Sequence, residues 1–212
     1  FVSAYDQKKV KAYSDMYRDA VKLMTSEDLK AFNINHEPAD IRETYGDNGF
    51  GQGVLLARRL VENNVRFVEV QLGGWDTHTN NFTSVSDRAA TVDRALSALI
   101  GDLESRGLLD ETLIVLATEF GRTPRINQND GRDHYPRAFS GLIAGGGIKG
   151  GQAYGKTDES GSRVIENPVL VPDFNATIAT ALGLPVGHTL YSPSGRPFKV
   201  ANNGEPVMDI LA

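Results

Sequence analysis

Cysteine is absent from the 212 residues. That removes a disulfide framework and any thiolate metal site. An exported protein and a cytoplasmic one both fit the absence, so it leaves the compartment open. Basic residues are in the minority: 22 Lys and Arg against 27 Asp and Glu, a net charge of -5. This balance argues against nucleic acid as the main partner. No apolar run approaches the roughly 20 residues of a membrane span. Neither a signal peptide nor an internal repeat nor a low-complexity tract is visible. The chain starts at Phe1 rather than Met, which points to an upstream piece outside this sequence. What remains is ordinary for a globular protein: 40% hydrophobic and 23% charged residues, enough for one large domain or two small ones.

Residues 1–48 read as a helical, mostly polar segment. Tyr5, Val10, Tyr13, Met16, Tyr17, Ala20, Val21 and Met24 recur at helical steps, which predicts an amphipathic helix. A second helix start is expected near Leu29 and a third short helix over Ala39–Tyr45. From residue 49 to 212 the elements alternate. A helical stripe runs from Phe50 to Val61 and ends at Asn63-Asn64. Val65–Leu72 reads as a strand, Thr83–Gly107 as a long helix capped near Ser84, and Thr112–Ala117 as a further strand. Strand, helix, strand predicts a βαβ unit with parallel strands. A further strand is expected over Ala138–Ala144, a loop or hairpin over 148–169, a helix from Asp173 to Leu182, and a loop-like tail. The expected class is therefore α/β, with a mainly parallel sheet flanked by helices.

The chemistry concentrates after the predicted strands. Leu113–Ala117 is an unbroken apolar run, and polar residues follow at once: Thr118, Glu119, Arg122, Asp130, Arg132, Asp133 and His134. Ligands in open α/β sheets bind beyond such strand ends. The loops Gly73–Asn81 and Glu119–Pro124 are expected to leave the same sheet edge and converge. Asp76 and His78 are two apart, so an extended backbone points both to one side. They can share a divalent metal or simply hydrogen-bond to each other. In Asp133-His134 the neighbours point apart, so His134 can bind metal while Asp133 orients something else. Glu119 can pair with Arg122 or bind metal; Arg122 can pair with Glu119 or hold an anionic substrate oxygen. His36, Glu69, Trp75 and His188 read as structural residues. Asp76, His78 and His134 together make a sulfur-free nitrogen/oxygen set suited to zinc or a similar first-row metal with an open position.

Four ordered motifs, GGWDTHTNN, TLIVLATEFGRTP, GRDHYP and FNATIATALGLP, resemble the domain of unknown function 1501 family. That family is placed in the alkaline phosphatase/sulfatase-like superfamily, and the resemblance covers roughly residues 49–185. It implies an α/β/α sandwich and one or two metal ions, often zinc, acting on small phosphate or sulfate esters. By resemblance Asp76, His78 and His134 hold one metal, and Glu119 falls where an Asp holds the second. Phe120 stands where the next ligand is usually His. The superfamily's nucleophile lies near the start of its domain and has no counterpart here, so the chain reads as the C-terminal part of a hydrolase. The alternative is a binding module or pseudoenzyme that keeps the fold. Export to the periplasm is implied by resemblance alone.

Overall fold

The computed structural model describes residues 8–212; Tyr5, expected on the first helical stripe, lies outside them. The helices are α1 (Lys8–Met24), α2 (Ala39–Thr44), α3 (Gly49–Glu62), α4 (Asn81–Ser105) and α5 (Val171–Ala181). The strands are β1 (Leu113–Leu116), β2 (Gly121–Arg122), β3 (His134–Tyr135), β4 (Leu142–Gly145), β5 (Lys156–Thr157), β6 (Val164–Glu166), β7 (Thr189–Tyr191) and β8 (Pro197–Lys199). Among the described residues no helix is long and apolar enough to cross a membrane.

Two compact units divide the chain, one made of residues 1–72 and 94–99, the other of 73–93 and 100–212. The first is helical. Tyr45, Val54, Leu55, Ala95 and Ala98 form its core, flanked by Ile34, Ile41, Phe50, Val70 and Leu99. The stripe read from Phe50 to Val61 supplies α3's share of it. Asn48 caps α3 by accepting a hydrogen bond from Gly51 N at 2.9 Å, and Asn64 leaves the helix end in the left-handed region (φ 62°), where Asn is tolerated. The second helix start is a 3-10 turn, Glu27–Phe32, capped by Ser26.

The mainly parallel sheet is not what forms. Every ladder among the described residues is a two-stranded antiparallel pair: β1–β4, β2–β3, β5–β6 and β7–β8. Val65–Leu72 joins no ladder. Its alternation is nonetheless strand-like, with Val68, Val70 and Leu72 half-buried between exposed Phe67, Glu69 and Gln71. An apolar run records that a backbone is extended and partly covered; it carries no information on which edge is hydrogen-bonded. β1 shows this, since Ile114 is buried while Val115 is exposed. A strand buried on both faces would cover both side chains. The expected βαβ unit therefore fails at its pairing, although its helix and second strand exist.

The start of α4 also differs from expectation. It begins at Asn81 rather than near Thr83, with Asn80 in the left-handed region (φ 48°) and no side-chain cap. Asn80 N and Asn81 N donate instead to Asn129 O and Asp130 O, at 3.3 and 2.8 Å. Another loop thus accepts from the N-cap and first helical N–H groups. The expected stop at Gly107 holds: its φ is +68°, and its N–H donates to Glu104 O at 3.0 Å. In the second unit α5 runs to Ala181, and Asp173 Oδ2 accepts from Leu170 N at 3.2 Å. The tail read as loop contains the β7–β8 hairpin.

Within the first unit Arg58 is a buried cation. Its guanidinium reaches Glu37 Oε2 at 2.6 Å and Glu62 Oε2 at 2.5 Å, and Arg59 also pairs with Glu37. Burial pushes the Glu37 carboxyl up, but hydrogen bonds and charge from Arg58 and Arg59 outweigh it and hold the group below its ordinary range. A carboxyl depressed in the folded state stabilises the fold above its unfolded pKa, and this stabilisation is lost as pH falls through the folded value. Glu37→Ala should cost about 3 kcal/mol, the low end for breaking a buried pair because Glu62 still meets Arg58. Denaturant unfolding at pH 7 and pH 3 checks this: the wild-type loss on acidification should be reduced in Glu37→Gln.

Candidate metal centre

Three side chains meet at one point in the second unit. Asp76 Oδ1 lies 2.9 Å from His134 Nε2 and 3.1 Å from His78 Nε2. The two imidazole nitrogens are 3.2 Å apart. Asp76, His78 and His134 form a group able to hold a metal ion, with Asp76 and His134 exposed and His78 half-buried. The expectation that two distant loops converge is thus met, without the parallel strands invoked to explain it.

Backbone contacts bring the loops together. His134 and Arg122 sit opposite each other in the β2–β3 pair. Arg132 N donates to Thr77 O at 3.0 Å. Asn127 Nδ2 donates to His78 O at 3.1 Å, and its Oδ1 accepts from Asn129 N and Gly131 N at 2.9 and 3.0 Å. Buried Thr77 donates through its hydroxyl to Asn81 Oδ1 at 2.7 Å, fixing the residue between the two ligands. Gly131 is buried against His78: a Cβ there would stand 1.8 Å from the His78 carbonyl oxygen. Only glycine allows this approach.

Electrostatics keep Asp76 ionised. The hydrogen bond with His134 and the neighbouring Arg122 hold its carboxyl down at about 2. Arg122 Nη1 lies 2.6 Å from Asp76 Oδ1. The same Nη1 is buried. The contact is a close charge pair. Asp133 is held low by the His78 hydrogen bond and by Asn127.

The donor set fits a divalent ion on two grounds. Tetrahedral coordination at 2.0–2.1 Å separates ligand atoms by about 3.3 Å; the edges here are 2.9, 3.1 and 3.2 Å. Moreover, His78 Nδ1 faces the Asp133 carboxylate at 2.9 Å. A neutral His78 therefore carries its proton on Nδ1 and turns a lone pair toward Asp76 Oδ1, itself an acceptor. In that tautomer two acceptors face each other at 3.1 Å, a gap that either a bound cation or a proton bridges.

Other candidate residues fall elsewhere. Arg122 pairs with Asp76, not with Glu119. Glu119 is exposed and outside the three-residue group. Phe120 packs on His134, ring centroids 4.6 Å apart, and its face lies 5.9 Å from the Arg122 guanidinium carbon. His36 contacts Asn33 at 3.0 Å, Glu69 bonds Gln71, Trp75 is half-buried and His188 exposed. Sequence reasoning missed Asn127 and Thr123, whose hydroxyl accepts from Asp133 N at 3.1 Å. The one signal for Asn127 was its place in a turn-rich run, Asn127 to Gly131, where Asx side chains bond nearby backbone.

A family model described as "Protein of unknown function (DUF1501)" matches residues 1–211. No curated protein and no solved structure matches the chain.

Gly131→Ala should destabilise the second unit by about 1–3 kcal/mol, because the clash is with backbone and no rotamer relieves it. Thermal unfolding measures the loss. Unchanged stability would show that the seam between the loops is looser than the contact implies.

Proposed function

We propose that this chain, which belongs to the DUF1501 family, is the metal-holding part of a hydrolase acting on small phosphate or sulfate esters. One observation carries the reading: two imidazole nitrogens and one carboxylate oxygen form a triangle of tetrahedral dimensions, with Arg122 beside it. Asp76, His78 and His134 would hold the ion. Three nitrogen/oxygen ligands without sulfur suit zinc with an open position. A bound divalent ion supplies Lewis-acid stabilisation of charge that develops on an ester oxygen. Arg122, paired with Asp76 at 2.6 Å, would set a guanidinium beside the ion, and a planar fork suits phosphate or sulfate.

Kinship with alkaline phosphatases and sulfatases would rest on these residues, since the sheet expected from it does not form. A second ion at Glu119 has weaker support, because Glu119 stands apart and Phe120 fills the space beside His134. That same packing favours the second reading, a non-catalytic module that keeps the metal site. The nucleophile and export to the periplasm belong to the proposal only through the family resemblance.

Elemental analysis after zinc loading should give about one ion per chain, and Asp76→Ala and His78→Ala should each lose it. Unchanged stoichiometry in both variants would refute the site. With aryl phosphate and aryl sulfate substrates and added zinc or manganese, Arg122→Ala should lower kcat/KM about 10–100-fold, the worth of one hydrogen bond to a charged group. No turnover by the metal-loaded protein would favour the module.

A further inference from the structure

We propose that Asp133 is a positioning residue for metal capture, selecting the His78 tautomer that leaves Nε2 as the ligand, and that Asn127 holds both groups in place. The inference rests on the metal reading above and assigns work to residues outside the ligand set. Imidazole can offer either nitrogen to a metal, and the hydrogen bond made by the other decides which. His78 Nδ1 lies 2.9 Å from Asp133 Oδ1, while its Nε2 faces Asp76 and His134. A carboxylate accepts and cannot donate, so Asp133 places the proton on Nδ1.

Asp133 is itself held. Asn127 Nδ2 donates to Asp133 Oδ1 at 3.1 Å and to the His78 carbonyl at 3.1 Å. One amide thus grips the ligand's backbone and the carboxylate that orients its ring. The Asp133 backbone is pinned as well: its N donates to Thr123 Oγ1 at 3.1 Å, and its carbonyl accepts from Thr123 N at 2.9 Å. With both ends fixed, the His78 ring has little freedom to turn Nδ1 toward the site. His134 meets both Asp76 and His78 through Nε2, so the clamp described here acts on His78.

The test reads ring nitrogens in the ion-free protein by 15N–1H correlation, then zinc affinity by competition with a chelating dye. Wild type should show His78 as the Nδ1–H tautomer. Asp133→Ala should give mixed tautomers and a 10–100-fold loss of zinc affinity, the usual effect of removing such an outer partner, at unchanged stoichiometry. Asp133→Asn keeps an acceptor oxygen facing His78 and should restore the tautomer, with affinity between the two. If His78 keeps one tautomer in Asp133→Ala, or if affinity stays within twofold of wild type, the assignment is wrong. Should wild type take up no zinc, the function above fails, while the tautomer comparison still decides the role of Asp133.

Discussion

The close approach of Gly131 to the His78 carbonyl is the contact on which the second unit's chemistry depends. It lets one loop's backbone lie directly on the other's, so hydrogen bonds rather than side-chain packing set their register. From that seam follow the bonds of Asn127 and Arg132 to the His78 and Thr77 carbonyls, and the capping of α4 by Asn129 and Asp130. His78 and His134, 56 residues apart in sequence, are then held as if they stood on one element. Precise placement of this kind is what a metal site needs from its scaffold.

The cluster concentrates charge at its centre. Around one carboxylate oxygen stand two imidazole nitrogens and a guanidinium, with Asp76 and His134 open to solvent and Arg122 more covered. The carboxylate is the shared partner, and a cation placed among the three donors would satisfy the lone pair of His78. The helical unit uses its charges differently. Arg58 is buried with two carboxylates that answer it, a closed arrangement with no place for a ligand.

Much of the site was legible in the chain, and less of the fold. Asp76 and His78 announce themselves by a two-residue spacing, and His134 by its place in a polar loop after an apolar run. The helices were legible because their apolar positions repeat every three or four residues, as from Phe50 to Val61. Strand pairing was not. Leu113–Leu116 and Val65–Leu72 both read as strands, yet one joins an antiparallel pair and the other joins none, because pairing is decided by distant residues such as Leu142–Gly145. Asn127 was invisible for a related reason: its role depends on what lies across the seam, not on its neighbours. Arg122 reads in the chain either as a partner of Glu119 or as a contact for an anionic oxygen; its pairing with Asp76 is one that only the folded chain creates.

Direct binding of a single divalent ion by Asp76, His78 and His134 is what we propose. X-ray absorption spectroscopy of the zinc-loaded protein tests it without reference to any activity. The expected spectrum shows a shell of nitrogen and oxygen at about 2.0–2.1 Å, with outer scattering from two imidazole rings. A shell of oxygen alone, with no imidazole signature, would contradict it.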